Sequence, residues 1–162
     1  MRTIAPNFSY APVFSLLRAF FVVAVLVGIT SACARNPVGE GNAAPGSQQE
    51  FLVAIGDRVF FDTDSSVLTP EGEATLTKQA EWLLKYPRYT IVVEGHADER
   101  GTREYNLALG ARRAAAVVNF LVSRGVNANR ITSRSFGKER PVAICNDISC
   151  WSQNRRAVTV LN

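Results

Sequence analysis

Residues 93–102 read VEGHADERGT, and residues 105–114 read YNLALGARRA. The first stretch completes an apolar, β-branched run and then reaches Gly95, which predicts a strand that ends in a polar connection. The second stretch starts an apolar stripe at helical spacing that stops at Gly125, which predicts a helix. Together they predict a strand and a helix joined by a connection that holds a carboxylate, Asp98.

The flanking sequence supplies further elements of both kinds. In chain order, the predicted elements are a strand at 57–61, a helix at 71–86, a strand at 89–93, a helix at 105–124, a strand at 130–136, a short helix at 150–153 and a strand at 156–161. This order, β-α-β-α-β-(α)-β, predicts an α+β fold. We expect a two-layer α/β sandwich whose helices pack on one face of a single mixed sheet.

The first 32 residues have the pattern of an export signal. Arg2 and Arg18 precede the apolar run 19–29, and small residues follow that run before Cys33. The run is shorter than the ~20 apolar residues that span a bilayer. The alternative, an uncleaved anchor over residues 11–29, would have to accommodate Arg18. The sequence therefore predicts a signal peptide over residues 1–32.

Cys33 stands where the lipobox of bacterial lipoproteins has its acylated cysteine, although the usual Leu three residues earlier is replaced by Thr30. We expect Cys33 to carry lipid, since several acyl chains attach a protein stably to a membrane. By analogy with lipoprotein sorting in enterobacteria, Ala34 in place of Asp implies the outer membrane. Residues 33–50 are rich in Gly, Pro, Asn, Ser and Gln, which predicts a flexible tether. The folded domain is expected over residues 51–162.

Composition favours a globular domain with little attraction for polyanions. Apolar residues make up 47% of the chain and charged residues 20%. Without Arg2 and Arg18 of the predicted signal peptide, the formal net charge falls from +4 to +2. A charge this small gives weak attraction to nucleic acid, which we therefore do not expect as a partner.

The cysteines that remain after Cys33 are Cys145 and Cys150. In the oxidising compartment that an export signal implies, two thiols this close can form a disulfide, and we predict one here. A zinc site would need two further ligands, and the only histidine, His96, lies in another part of the chain. Glu94 and Asp98 flank His96 and raise the alternative of a metal triad, but we expect no metal.

Arg113 falls on the predicted apolar stripe, four residues after Leu109 and four before Val117. A guanidinium on the core-facing side is costly unless a carboxylate or an anionic ligand meets it. Two interpretations remain open. Arg113 and Asp98 form a structural ion pair, or Arg113 receives a ligand carboxylate while Asp98 receives a ligand ammonium. Asp64 is either a turn residue or a second carboxylate for that ammonium.

The sequences GHADERGT, EYN and LGARRA, within residues 58–161, resemble the OmpA-like, peptidoglycan-binding family. The resemblance implies that the domain binds the meso-diaminopimelate of peptidoglycan stem peptides through Asp98, Arg113 and Asp64. A lysine stem peptide lacks the extra carboxylate and is then the poorer ligand. The other residues implied to line the pocket are Phe61, Asp62, Tyr105, Asn106 and Leu109.

Lipid-anchored members of this family imply a place in the Tol envelope system, with TolB as a second partner and a role in envelope integrity and cell division. The alternative is a lipoprotein that anchors another envelope machine, a motor or a secretion system, to peptidoglycan. Catalysis is not expected, because a single histidine offers no nucleophile arrangement with a recognisable spacing. No cofactor is expected either.

Overall fold

The computed structural model describes residues 43–162. The predicted signal peptide, Cys33 and the first part of the predicted tether lie outside the described residues. The elements in chain order are α1 (Gln48–Glu50) with a π-helical turn (Phe51–Gly56), β1 (Arg58–Phe60), α2 (Pro70–Lys85), β2 (Ile91–His96), α3 (Arg103–Ser123), a 3₁₀ turn (Ala128–Arg130), β3 (Ile131–Gly137), α4 (Ile148–Asn154) and β4 (Arg156–Leu161).

The four strands form one mixed sheet in the order β1-β4-β2-β3. Strand β4 runs antiparallel to both β1 and β2, whereas β2 and β3 are parallel. Parallel strands need a crossover, and α3 provides it between β2 and β3. The predicted element order and the α+β two-layer fold are confirmed.

Helices α2 and α3 cover one face of the sheet with the apolar stripes that the sequence predicts. Leu76 and Leu83 of α2 and Leu121 of α3 are fully buried, and they pack in one cluster with Ile91 and Val93 of β2. Burial of this kind is the main stabilising term in a domain of this size. The core-facing residues of β2 alternate with side chains on the opposite, helix-free face.

Two glycines set the distance between β2 and α3. A Cβ atom on Gly95 would overlap the carbonyl oxygen of Gly110, and a Cβ on Gly110 would approach the carbonyl of Gly95. The strand and the helix therefore pack backbone against backbone at this point. This close packing brings the connection after β2, which carries Asp98, next to the helix that carries Arg113.

The structured part of the chain begins before the boundary predicted at residue 51. The carbonyl of Gly46 accepts hydrogen bonds from Arg88 and from the Tyr89 hydroxyl, the latter at 2.8 Å. A carboxylate oxygen of Glu50 accepts from the Trp82 indole and from the backbone amide of Gly46, each at 2.6 Å. The last residues of the predicted tether are thus fixed by aromatic residues from α2 and from the segment just before β2.

A disulfide joins Cys145 and Cys150, whose Cα atoms lie 5.6 Å apart. It closes the loop that leads into α4, and Asp147 caps that helix by accepting from the backbone amide of Ser149. The short helix predicted at 150–153 is therefore present and slightly longer. Between residues 43 and 162, no helix combines the length and apolar character needed to cross a bilayer.

Candidate functional site

A pocket with a volume of about 280 Å³ opens where β2 ends and α3 begins. It lies between the turn after β1, the connection after β2 and the first three turns of α3. Its lining residues are Thr63, Asp64, Asp98, Arg100, Gly101, Tyr105, Asn106, Leu109 and Arg113. Six of the eight pocket residues predicted from the sequence therefore lie together.

Arg113 is fully buried beneath the pocket and donates hydrogen bonds to three backbone carbonyls. Its Nε donates to Ser65 at 2.8 Å, its Nη1 to His96 at 2.8 Å and its Nη2 to Asp62 at 3.1 Å. Burial lowers the pKa of Arg113 to about 10, so the side chain stays charged at neutral pH. Arg113 therefore ties the turn after β1 to the end of β2.

A guanidinium has five N–H groups, and these three bonds leave two of them for a ligand. The ring of Phe61 lies 5.2 Å from the guanidinium carbon, on the side of β1. The cation is thus held in place by the protein and forms part of the pocket lining.

Asp98 is 7% exposed and is bound by two other arginines. Arg100 contacts both carboxylate oxygens, through Nε at 3.1 Å and Nη2 at 2.6 Å, and Arg155 approaches from the core side at 3.5 Å. Burial by itself would raise the pKa of Asp98, but the hydrogen bonds from Arg100 and Arg155 outweigh it and hold the pKa below its usual value. Asp98 is therefore ionised at neutral pH.

The interpretation of Arg113 and Asp98 as a structural ion pair is wrong. Arg113 donates to carbonyls, and Asp98 forms its ion pairs with Arg100 and Arg155. Each charge of the predicted pair is therefore satisfied separately within the described chain. Both residues line the same pocket without a direct hydrogen bond between them, although the charge of Asp98 partly opposes the effect of burial on the pKa of Arg113.

Arg100 is a pocket residue that the sequence reasoning missed. It lies two residues after Asp98, and its backbone amide also donates to Asp98, at 3.2 Å. Its guanidinium lies 4.2 Å from the ring of Trp151 in α4, and Nη2 reaches Thr63 at 3.4 Å. An aspartate followed by an arginine two positions later in a tight connection is the one local signal that could have indicated this contact.

Asp64 and Tyr105 lie at the exposed rim of the pocket. Asp64 has a φ of 57°, in the left-handed region that Asp tolerates better than most residues. The hydroxyl of Tyr105 donates to the Asp64 carboxylate, and this bond raises the pKa of Tyr105. The turn after β1 is thereby joined to the first turn of α3, which Thr102 caps through the amide of Tyr105.

Asn106 and Leu109 are both buried on the pocket side of α3. The Asn106 amide donates to the carbonyl of Arg100 at 2.7 Å, so Asn106 fixes the connection after β2. Leu109 contributes an apolar wall. Asn106 thus lines the pocket, as predicted, and also joins the start of α3 to the connection after β2.

Phe61 and Asp62 lie behind Arg113 and outside this pocket. The Phe61 amide donates to Arg155, and the Asp62 carbonyl accepts from Arg113. Both residues line a separate groove of about 510 Å³ beside β1. The structure therefore places them as supports of Arg113 and Arg155, in contact with Arg113 but outside the lining of the pocket that holds the other six predicted residues.

His96 is 2% exposed and lies on the helix-free face of the sheet, with its Nε2 3.9 Å from a Glu94 oxygen. Burial, with Arg156 and Arg140 nearby, lowers the pKa of His96 to about 4. In the part of the chain that the structure describes, no three His, Cys, Asp or Glu side chains are grouped to hold a metal ion.

The element order, the mixed sheet and the pocket at the end of β2 define an OmpA-like α+β domain. Residues 60–155 match the family model described as the OmpA family. A peptidoglycan-associated lipoprotein of Rhizobium meliloti (strain 1021) is 68% identical over 124 residues, which cover 76% of this chain and 70% of that relative. The chain belongs to the OmpA family and, within it, to the peptidoglycan-associated lipoproteins.

Solved structures agree with this assignment. The crystal structure of the peptidoglycan-associated lipoprotein from Burkholderia pseudomallei is similar with a TM-score of 0.64 and 43% identity, over 65% of this chain and 90% of that one. The C-terminal domain of Helicobacter pylori MotB has a TM-score of 0.61 and 25% identity, over 65% of this chain and 84% of that one. The same fold therefore occurs in proteins with different names.

Proposed function

We propose that this protein is an outer-membrane lipoprotein that binds meso-diaminopimelate peptidoglycan non-covalently and so couples the outer membrane to the cell wall. The observation that carries the proposal is a pocket in which a buried cation, Arg113, and an ionised carboxylate, Asp98, are held separately. The names of its relatives, which include peptidoglycan-associated lipoproteins at 68% identity, support the same ligand.

Diaminopimelate has an amine and a carboxylate on the carbon at the end of its side chain, so it presents a zwitterion to the pocket. Arg113 receives the carboxylate through its two remaining N–H groups, and Asp98 receives the ammonium. Asp64 at the rim offers a second carboxylate. Lysine lacks the terminal carboxylate, and a lysine peptide would leave donors of Arg113 desolvated without a partner, at a cost of about 1–3 kcal/mol.

Arg100 competes with the ligand ammonium for Asp98. The Arg100 side chain is 39% exposed, whereas the Arg155 side chain on the other side of Asp98 is 8% exposed. Because Arg100 is the more exposed of the two partners, it is the one that the ligand ammonium would displace from Asp98. Arg155 stays in place and keeps the carboxylate charged and oriented.

The position of the tether suits a coupling role. The chain enters the domain at Gly46, beside Tyr89 at the start of β2, and the pocket lies at the other end of that strand. The six residues of β2 separate the two by about 20 Å, at about 3.3 Å per residue. A lipid anchor at Cys33 would then pull on one end of the domain while the cell wall is held at the other.

Membership of the Tol-Pal system, with TolB as a competing partner and with a role in envelope integrity and cell division, is part of the proposal. It rests on the resemblance to the lipid-anchored members of the family, with which the identity to a peptidoglycan-associated lipoprotein agrees. The second candidate is a lipoprotein that anchors a motor or secretion machine, which the structural likeness to the MotB domain favours. Capture of TolB by the purified protein would support the first, and no capture from an envelope extract that contains TolB would favour the second.

The peptidoglycan proposal is tested by sedimenting the protein with purified diaminopimelate-type peptidoglycan. Asp98→Asn should lower the bound fraction at least tenfold, because the ammonium loses its counter-charge while the side chain keeps its size. Asp57→Asn is the matched control, since Asp57 pairs with Arg58 outside the pocket. Equal sedimentation of the two variants and the wild type would contradict the proposed site.

A further inference from the structure

The helix-free face of the sheet carries a row of side chains that the peptidoglycan pocket does not use. Side chains alternate between the two faces of a strand. In the strand register, Phe60 of β1 lies opposite Arg156 of β4. The next residue of β4, Ala157, lies opposite Gly95 of β2. His96, next in β2, and Phe136 of β3 complete a row across all four strands.

Two guanidinium groups in this region have no acidic partner. Among residues 43–162, no carboxylate lies within ion-pair distance of Arg140 or Arg156. The carboxylate of Glu94, on the same face, is bonded to Arg134 at 2.6 Å, and Glu94 and Asp57 offset only part of the effect that burial and Arg58 have on Arg156. Arg134, Arg140 and Arg156 outnumber the acidic groups here, so the row carries an excess of positive charge.

Two buried polar atoms in the row are left without hydrogen-bond partners in the described chain. They are Nδ1 of His96 and Nε of Arg156, on residues that are 2% and 5% exposed. The two Nη atoms of Arg156 donate to the carbonyls of Asn154 and Arg140. Buried polar groups in folded proteins are almost always satisfied, so these two atoms indicate a bound group that supplies acceptors.

Aromatic rings hold the cations of this row in place. The guanidinium carbon of Arg140 lies 3.7 Å from the centre of the Phe136 ring, and His96 stacks on the same ring at 5.6 Å. Phe60 is 47% exposed at the other end of the row. Stacking orients a guanidinium without using its N–H groups, so the contact with Phe136 does not occupy the donors of Arg140.

The positive charge is strong enough to act on its neighbours. Burial lowers the pKa of His96 to about 4, and the charges of Arg156 and Arg140 add to the effect of burial. Burial and the nearby Arg58 also lower the pKa of Arg156. An oxyanion placed beside these groups would relieve that repulsion, and a neutral imidazole can still donate through Nδ1 in one of its tautomers.

We propose that His96, Arg140 and Arg156 form a second ligand site, which binds an oxyanion, a phosphate or carboxylate group, on the helix-free face. The site is independent of the peptidoglycan pocket, because its residues line the opposite face of the sheet. It would give the domain a contact for an anionic group while the pocket at the end of β2 is occupied.

His96 is the only histidine of the chain, so its ring signals in an NMR spectrum report this site alone. The purified protein is titrated with inorganic phosphate and, in a second series, with acetate, against sodium chloride at the same ionic strength. We expect a saturable change in the His96 signals with phosphate or acetate and a rise in the pKa of His96. The series that saturates identifies the phosphate or the carboxylate as the preferred group.

Arg140→Gln should weaken this response at least tenfold. Arg103→Gln, which removes the same charge from an exposed pair with Glu139, should leave it unchanged. Sedimentation of Arg140→Gln with peptidoglycan should equal that of the wild type, so the test does not depend on the proposed function. Signals that respond equally to chloride, or that respond unchanged in Arg140→Gln, would mean that water alone satisfies the two atoms and would overturn the proposal.

Discussion

At each end of β2, a tryptophan indole donates a hydrogen bond to a glutamate, but the surroundings of the two indoles differ. At the tether end, Trp82 donates its indole N–H to Glu50 at 2.6 Å, and at the pocket end Trp151 donates to Glu99 at 2.5 Å. Trp82 is buried among aromatic rings, with centroids 4.8 Å away at Tyr86 and 5.1 Å away at Tyr89. Trp151 is half-buried and stacks instead on a cation, the guanidinium of Arg100.

The two ends of β2 differ in whether their polar groups are all satisfied within the protein or stay available for a ligand. The tether end satisfies its polar groups internally and contributes stability by apolar packing. The pocket end keeps ionised groups that are only partly satisfied, which costs stability and makes ligand binding possible. Stability and peptidoglycan binding should therefore respond to different substitutions.

The largest expected effect is at the glycine contact that joins the two regions. Gly95→Ala places a methyl group against the backbone of Gly110, so α3 must move away from β2. We expect a loss of about 3 kcal/mol in the free energy of unfolding, measured by denaturant titration, together with weaker peptidoglycan binding. Gly72→Ala is the control, because its new Cβ meets ordinary contacts of 3.4 Å or more. A Gly95→Ala protein as stable as the wild type would show that the backbones are not in contact.

Lowering the pH should lower the free energy of unfolding through His96, which lies at the pocket end of β2. The unfolded chain takes up a proton near the ordinary histidine pKa of 6.5, whereas folded His96 resists protonation down to about 4. Stability is therefore full above pH 6.5 and falls as the pH is lowered from 6.5 toward 4, by about 2 kcal/mol between pH 7 and pH 5. Denaturant titrations at several pH values measure this slope. His96→Gln should flatten it, and an unchanged slope in that variant would contradict the assignment.

The tether end should affect stability without affecting binding. Trp82→Phe removes the hydrogen bond to Glu50 while keeping most of the ring packing, and should cost about 1 kcal/mol. Trp151→Phe makes the same change at the exposed pocket end and should cost less. Thermal unfolding and peptidoglycan sedimentation of both variants test this contrast. Reduced sedimentation by Trp82→Phe at a temperature where it is folded would break the separation of the two regions.

The smallest expected effect concerns Arg100. Arg100→Gln releases Asp98 from a competing cation, so peptidoglycan should bind up to about fivefold more tightly, with little change in stability. A binding isotherm with increasing peptidoglycan measures the change. Arg103→Gln removes an equal charge near the start of α3 and serves as the control. Weaker binding by Arg100→Gln would mean that Arg100 contacts the ligand itself.

The sequence was sufficient for features that depend on local periodicity. Helical spacing from Leu109 to Val117 placed Arg113 on the buried stripe of α3, where it is fully buried. The alternation of apolar residues and turns gave the element order. The resemblance of the motifs to the OmpA-like family brought Asp64, Tyr105 and Asn106 into one predicted site, and the three residues line one pocket in the structure.

The partners of these residues could not be predicted, because they depend on contacts between distant segments. Arg113 binds the carbonyls of Asp62 and Ser65, which lie 51 and 48 residues away in the chain. The ordered turn at Gly46 depends on Tyr89, at a separation of 43 residues. Every residue has a backbone carbonyl. The sequence therefore could not show that carbonyls, and not Asp98, accept the hydrogen bonds of the buried guanidinium.

The central claim, that the buried Arg113 recognises the carboxylate that distinguishes diaminopimelate from lysine, is tested most directly with two kinds of peptidoglycan. Residues 34–162 are sedimented with diaminopimelate-type and with lysine-type peptidoglycan at equal mass, and the bound fractions are compared. We predict binding at least about tenfold tighter to the diaminopimelate type, equivalent to about 1.4 kcal/mol. Equal binding to the two polymers would contradict the account.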